Sequence, residues 1–397
     1  MSQIDKTKIR SDSPVCSKYA YFDTAAAAPP TQNNIEAVTD YLKRSYLEGL
    51  YMPTFRKETY QKVEDIRAAA AQFINAQAEE IAFVKNGSEA ISVVAQGINW
   101  NKGDEVIVSG FEILSNLVPW LRLKDKYGIE VHIVPARDNG LLHPDDIKKH
   151  ITDRTRLITF SQLSNVTGGL QPVHEICRLA HEKGIMTLVC AAQSLGMVPI
   201  DVQSLKCDFL AACGRKSLRA IEGSGILYVK KQHIASLEPC LVGWWNSAYD
   251  SATQTVTLNP TARRFEAGCP VIPAIISIGE AIDYISSIGI DIIFERVQEL
   301  TRYAVQQIRT IPEAELYGPE NLSERLAIVT FNIKSVDAHD MVSGLEKEGV
   351  IIEAGHFMAD AIMKRYNITK MARISLHYFN SEEEIDKTVR LIKQMIK

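Results

Sequence analysis

The sequence predicts an α/β fold, with a mainly parallel sheet in a large domain and a smaller α+β domain at the C-terminal end. Between Lys57 and Lys230, short apolar segments alternate with amphipathic helical patterns, which is typical of a parallel sheet covered by helices on both faces. From about Ile275 the pattern changes to long helices and more widely spaced strands. We therefore expect three parts, an N-terminal arm (1–20), a large domain (21–274) and a small domain (275–397).

The predicted strands of the large domain are short, mostly apolar runs of the length that buried strands have. They lie at Glu80–Val84, Glu105–Ser109, Glu130–Pro135, Arg156–Ser161, Met186–Cys190, Phe209–Cys213 and Gly225–Val229. Helical patterns precede or separate them at Glu58–Ile74 and from Glu89, Ser115, His143 and Pro172.

The small domain is predicted to contain four helices and three strands. The helices lie at Ile275–Ile288, Asp291–Ile311, Ala338–Glu348 and Ser381–Ile396, and the strands at Ala327–Asn332, Val350–Glu353 and Ala372–Leu376. The last helix begins at a serine followed by three glutamates, a sequence typical of a capped helix N-terminus.

The overall composition narrows the classes of partner. The 397 residues carry a formal net charge of -4, so no basic excess favours nucleic acid or an anionic membrane surface. No apolar run reaches the roughly 18 to 20 residues of a membrane span, and the N-terminus has no hydrophobic signal core. Seven scattered cysteines are not typical of a disulfide framework. We expect a cytoplasmic protein whose partner is a small molecule.

Two neighbouring strands end in residues that can carry chemistry. The strand Phe209–Cys213 stops at Gly214, Arg215 and Lys216, and the strand before it is followed by Gln193. The carboxyl ends of parallel strands meet at one edge of a sheet, where α/β proteins bind their ligands. A lysine at such a strand end is placed to act as an amine.

These strand ends, together with the turn Asn86-Gly87-Ser88, resemble the class V aminotransferase family. This family comprises fold-type I pyridoxal phosphate (PLP) enzymes and includes cysteine desulfurases, selenocysteine lyases and isopenicillin N epimerase-like proteins. The resemblance runs from Tyr21-Phe22-Asp23 to the final helix. It implies a homodimer with shared active sites, because the family turn that matches Ala267-Gly268-Cys269-Pro270 reaches the partner's cofactor.

The resemblance also implies roles for individual residues. Lys216 would form the covalent link to PLP, and Arg373 would bind the α-carboxylate of the substrate. The loop around His356 and Glu353 matches the family loop that carries further catalytic residues. The implied cofactor-binding residues are Gly87, Ser88, Asn165, Cys190, Gln193, Cys213, Arg215 and Cys269, and Asn165 would also face the substrate.

Several positions depart from the family pattern. Cys190 replaces the aspartate that keeps the pyridine nitrogen of PLP protonated, and a neutral thiol cannot do so. Ile113 replaces a stacking histidine, Cys213 and Cys269 replace hydroxyl residues at the phosphate, and Met358 replaces the nucleophilic cysteine of desulfurases. A thioether cannot accept a persulfide.

These departures lead to three hypotheses of function. The first is a PLP enzyme that acts on a small amino acid or other carboxylate, as a C–S lyase or other eliminating enzyme rather than as a transaminase or a persulfide-forming desulfurase. The second is an enzyme of the same fold without PLP, which uses Lys216 and Arg373 and could bind a soft metal ion through Cys190, Cys213 and Cys269. The third is a non-catalytic binding protein.

Overall fold

A computed structural model describes residues 4–396, and its secondary structure follows the predicted alternation closely. The strands are β1 (Ala20–Tyr21), β2 (Ile81–Val84), β3 (Glu105–Ser109), β4 (Glu130–Val134), β5 (Thr155–Ser161), β6 (Met186–Cys190), β7 (Phe209–Cys213), β8 (Gly225–Val229), β9 (Ser247–Asp250), β10 (Thr255–Leu258), β11 (Ala314–Tyr317), β12 (Ile328–Ile333), β13 (Val350–Ile351), β14 (Glu353–Gly355) and β15 (Met371–Ser375). The helices are α1 (Lys6–Ser11), α2 (Val15–Lys18), α3 (Gln32–Glu48), α4 (Pro53–Phe73), α5 (Gly87–Gly97), α6 (Val118–Tyr127), α7 (Pro144–Lys148), α8 (Val173–Glu182), α9 (Val202–Leu205), α10 (Lys231–Ile234), α11 (Ile272–Ile288), α12 (Ile290–Arg309), α13 (Ala338–Lys347), α14 (Asp360–Arg365) and α15 (Glu382–Met395).

The large sheet has seven strands in the order β2-β8-β7-β6-β5-β3-β4. Five of them, from β4 to β7 across the sheet, run parallel, whereas β8 is antiparallel to both β7 and β2. Most of these strands are buried along their whole length, because helices cover both faces of the sheet. The prediction of a mainly parallel sheet is confirmed. The carboxyl ends of β5, β6 and β7 therefore meet at one edge.

A second sheet of four antiparallel strands, in the order β11-β12-β15-β14, forms the C-terminal part of the protein. In this sheet Glu353 on the edge strand β14 lies opposite Arg373 on β15. The N-terminal segment joins this region, because β1 pairs with β13 and Asp23 forms a bridge with Ser375. A residue close to the N-terminus is thereby brought beside the C-terminal sheet.

The apolar core surrounds both sheets. Two clusters lie around the seven-stranded sheet, and a third fills the space between the small sheet and helices α12, α13 and α15. Helix α11 contacts α3 and α4 on one side and α12 on the other. The proposed domain boundary at residues 274 and 275 stays a prediction.

The hairpin β9–β10 was not predicted from the sequence. Its residues are mostly exposed on both faces, so it lacks the alternation of buried and exposed positions that marks a half-buried strand. Within residues 4–396 no helix combines the length and the apolarity that crossing a bilayer requires.

Candidate active site

The N-terminus of α5 lies against the carboxyl ends of β6 and β7. A Cβ atom added at Gly87 would lie 4.0 Å from the side chain of Ala192 and from the backbone nitrogen of Cys213. Asn86 caps the helix by accepting a hydrogen bond from the Glu89 backbone N–H, and the Ser88 hydroxyl donates to Ser115 at 2.8 Å. The positive end of an 11-residue helix is thus directed at the crevice, where it can hold an anionic group.

Lys216 lies in the turn that follows β7, at the same edge of the sheet. Its side chain is half-buried, and its amine forms no hydrogen bond with any of the described residues. Burial lowers the pKa of this amine from its ordinary value, with the positive charges of Arg373 and Arg215 adding to the effect and the thiols of Cys213 and Cys190 opposing it. An amine with a lowered pKa and no partner is suited to nucleophilic attack and to proton transfer.

Cys190 and Cys213 lie close to Lys216, and both are buried. Burial raises the pKa of the Cys190 thiol to about 11, so the thiol is neutral at pH 7 and cannot replace a carboxylate. Cys213 Sγ contacts the Ala192 carbonyl oxygen at 3.8 Å. Cys269 is exposed, and within residues 4–396 no three metal-ligating side chains are grouped to hold an ion. The hypothesis of a three-cysteine metal site in one chain is wrong, because Cys269 belongs to a different surface.

Glu112 is a buried carboxylate of this edge that sequence reasoning passed over. The Ser161 backbone N–H and hydroxyl each donate a hydrogen bond to it at 2.6 Å, and the Ser109 hydroxyl donates a third. Burial raises the pKa of Glu112 above its ordinary value, although these hydrogen bonds oppose the shift. Its negative charge contributes to the raised pKa of Cys190. The one available signal was its place immediately before Ile113 in the family motif.

Two polar side chains that were predicted to face a cofactor are held by the backbone. Gln193 donates from Nε2 to the Ala25 carbonyl oxygen at 3.0 Å. Asn165 lies in a loop closed by Gly168, which has a left-handed φ of 69° and contacts the Ile328 carbonyl oxygen so closely that a side chain would collide with it. Arg215, half-buried beside Lys216, lies 3.8 Å from Glu222.

Arg373 is buried on β15 and is surrounded by partners from distant parts of the chain. Nη2 donates to Asp23 at 3.2 Å and to the Glu353 carboxylate, while Nη1 donates to the Asn165 carbonyl oxygen at 3.1 Å. The Phe357 ring covers the guanidinium, with 4.2 Å from its centroid to Cζ. Sequence reasoning did not place Asp23 or Phe357 in the site.

The loop after Glu353 has an unusual backbone. Phe357 and Met358 both have a left-handed φ, of 51° and 54° respectively, and the Met358 backbone N–H donates to His356 Nδ1 at 3.1 Å. Met358 is 48% exposed, and the His356 side chain is also exposed. The thioether and the imidazole therefore lie at the surface of the pocket rather than in its interior.

His377 supports the turn that carries Lys216, and it is expected to make the protein less stable in acid. It is fully buried, with Nε2 2.9 Å from the Ser217 carbonyl oxygen and its ring stacked on Phe379. Burial lowers the pKa of His377 to about 3, and the positive charge of Arg219 adds to the effect. Its stabilising effect is complete above pH 6.5 and is lost as the pH falls from there, since the unfolded chain takes up the proton first.

We expect this one group to lower the free energy of unfolding by about 2 kcal/mol at pH 5 relative to pH 7. Thermal unfolding of the wild type and of His377→Gln across pH 5 to 7 would measure the effect. The variant should lose that part of the slope, whereas His339→Gln, at an exposed histidine, should keep it. Identical slopes in the wild type and His377→Gln would contradict this assignment.

Comparison with known proteins places this geometry in a family. The model of the aminotransferase class-V family matches residues 20–388. A cysteine desulfurase from Shigella sonnei (strain Ss046) is 36% identical over 395 residues, and one from Escherichia coli (strain K12 / DH10B) is 35% identical over 395 residues. Each alignment covers 96% of this chain and 96% of the relative.

Solved structures show the same similarity. An apo structure of a cysteine desulfurase from Thermococcus onnurineus NA1 superposes with a TM-score of 0.93 at 30% identity, over 100% of this chain and 98% of that one. The Escherichia coli cysteine desulfurase CsdA gives a TM-score of 0.90 at 26% identity, over 99% of this chain and 98% of that one. The fold is that of the fold-type I PLP enzymes. The chain belongs to the aminotransferase class-V family, and it is an enzyme of the PLP-dependent, cysteine desulfurase-like class.

These comparisons correct the functional prediction. The hypothesis of an eliminating C–S lyase that does not form a persulfide is wrong, because the relatives that match along nearly the whole chain are cysteine desulfurases. The PLP-independent enzyme and the non-catalytic protein lose their support for the same reason. The error came from treating Met358 as decisive. A sulfur atom can pass to any thiol that reaches it, and Cys213 and Cys190 both lie beside Lys216.

The residues of the crevice fit PLP at two of its three ends. The helix N-terminus at Gly87 and Ser88 suits the phosphate, and the unpaired amine of Lys216 suits the aldehyde carbon. At the ring nitrogen the fit is weaker, because Cys190 is neutral and the nearest carboxylate is that of Glu112, already bound by serines. The pocket therefore favours PLP with an uncharged ring nitrogen.

Proposed function

We propose that this protein is a PLP-dependent cysteine desulfurase that removes the sulfur of free cysteine and leaves alanine. The observation that carries this proposal is the partnerless amine of Lys216 beside the N-terminus of α5 at the sheet edge. The relatives at 35% and 36% identity support cysteine as the substrate. A cysteine-like amino acid also suits a crevice with an amine at one side and Arg373 at the other.

The chain's residues divide into three groups in this proposal. Gly87 and Ser88 hold the phosphate through the helix N-terminus, with Arg215 and Cys213 nearby and Cys269 reaching it in the partner subunit. Gln193, Asn165 and Cys190 surround the ring. Bound PLP supplies an electron sink for the carbon atoms of the amino acid.

Lys216 holds and moves the proton in this site. Its lowered pKa leaves a fraction of the amine neutral near pH 7, so it can take a proton from the substrate's α-carbon and return one. In the overall reaction the Cβ–S bond of cysteine breaks, an S–S bond forms with an acceptor thiol, and the β-carbon gains a proton. Cysteine and the thiol thus become alanine and a persulfide, with atoms and electrons balanced.

The acceptor thiol in this proposal is at a position other than 358. Cys213 and Cys190 are nearest to Lys216 within the chain, and a free thiol compound could also enter from solvent. His356 and Glu353 lie where the resemblance implies further catalytic residues. His356 is exposed at the entrance, where it can meet an incoming thiol.

We also propose that two chains form the working enzyme. Exposed apolar side chains lie near Cys269, among them Leu241, Trp244 and Val271, and burying them against a second copy would stabilise a dimer. A monomeric mass in solution by light scattering would contradict this part of the proposal.

The test is to incubate the purified protein with PLP and cysteine. We expect a visible absorption band, a PLP adduct on the Lys216 peptide after borohydride reduction, alanine as product, and one extra sulfur atom on a cysteine peptide or on an added thiol. Pyruvate and ammonia in place of alanine would indicate elimination and would overturn the proposal. Absence of both the adduct and the alanine would overturn it as well.

A further inference from the structure

The carboxylate-binding arginine of the site is already paired with carboxylates of the chain itself. Arg373 is 3% exposed, and its Nη2 donates to Asp23 and to Glu353. In the family pattern the position of Glu353 carries an arginine. One cation thus faces two anions, so the immediate surroundings of Arg373 carry an excess negative charge that would repel the carboxylate of a substrate.

The remaining donors of Arg373 do not offer a second place for a carboxylate. Nη1 is taken by the Asn165 carbonyl oxygen, and the Phe357 ring covers the guanidinium plane. Only Nε has no partner among the described residues, and it is buried. A carboxylate binds most strongly to two adjacent guanidinium N–H groups, and that arrangement requires one of the present partners to leave.

Glu353 is the partner that can leave. Its side chain is 42% exposed, whereas that of Asp23 is 18% exposed and lies behind the arginine in the bridge between the N-terminal segment and β15. Glu353 also lies on β14, an edge strand of only three residues that leads into the left-handed backbone at Phe357. An exposed ion pair at a sheet edge costs little to open.

We propose that Glu353 is a specificity-determining residue that competes with the substrate's carboxylate for Arg373. An amino acid then binds only by displacing Glu353 toward solvent, and ligands with a single weak acceptor group fail to do so. This inference rests on the proposed function for the identity of the substrate. It does not depend on the cofactor, because the competition concerns Arg373 alone.

The probe for this competition is β-mercaptopropionate, which has the thiol and carboxylate of cysteine but lacks the amine that would react with PLP. Its affinity would be measured by titration calorimetry on the full-length protein as purified. We expect Glu353→Gln to bind this probe at least ten times more tightly than the wild type, and Glu353→Ser to behave in the same way. The gain should disappear in Glu353→Gln combined with Arg373→Lys, because lysine lacks the paired donors.

The matched control is Asp337→Asn, which removes a carboxylate of similar exposure that pairs with Lys370 elsewhere in the same part of the protein. This variant should bind the probe as the wild type does. Equal affinities of the wild type, Glu353→Gln and Glu353→Ser would overturn the inference, as would a gain that survives the change at Arg373. Failure of the proposed function is seen separately, as a lack of PLP on Lys216.

Discussion

Replacing Lys216 by alanine is expected to abolish the reaction while leaving the fold intact. The turnover of cysteine to alanine should fall by at least about 10³-fold, because the variant lacks both the amine that links PLP and the base that moves the proton. The melting temperature should stay the same or rise, since the wild-type amine is half-buried without a partner and its burial disfavours the charged form. Steady-state kinetics and thermal unfolding of the same preparation would measure both effects.

Two further variants separate the chemistry of Lys216 from its charge. Lys216→Arg keeps a cation in the crevice but cannot form the link to PLP, so it should be as inactive as the alanine variant. Lys183→Ala removes an exposed lysine after α8 and should keep full activity. A Lys216→Ala protein with more than a tenth of the wild-type rate would show that the amine has no part in the reaction.

Replacing Glu266 by glutamine is expected to destabilise the protein by about 3–5 kcal/mol, because it breaks a buried ion pair. The carboxylate accepts hydrogen bonds from Arg67, from the Phe83 backbone N–H at 2.8 Å and from Trp245 Nε1 at 3.2 Å. The amide of glutamine would direct hydrogen-bond donors at other donors and would leave the Arg67 cation buried. Chemical unfolding would measure the loss of stability.

The same arginine provides the control for this prediction. Glu64 also pairs with Arg67, at 3.0 Å, but its side chain is 41% exposed, so Glu64→Gln should cost no more than about 1 kcal/mol. Similar losses in the two variants would contradict the distinction between a buried and an exposed pair. Glu266 directly precedes the segment Ala267-Gly268-Cys269, so its loss should also lower the fraction of dimer and the affinity for PLP.

The position of the reactive lysine could be predicted because it follows from local patterns. A buried apolar strand that ends in glycine and cations places Lys216 at the carboxyl edge of the sheet, and a strand, turn and helix place Gly87 and Ser88 there as well. Such patterns depend on neighbours within a few residues. The choice of reaction could not be inferred in the same way, and the substituted loop at Met358 led to a wrong prediction that the comparisons corrected.

The environment of Arg373 was decided by the tertiary structure. Glu353 was recognisable as an unusual residue, yet its pairing with Arg373 depends on the register of β14 against β15, and Asp23 arrives from the opposite end of the chain. The sequence by itself determined the mainly parallel sheet, the helix at the phosphate end and the lysine, because period and turn chemistry are local. The charge balance around the arginine was left to long-range packing, since it depends on groups that only the folded chain brings within a few ångströms.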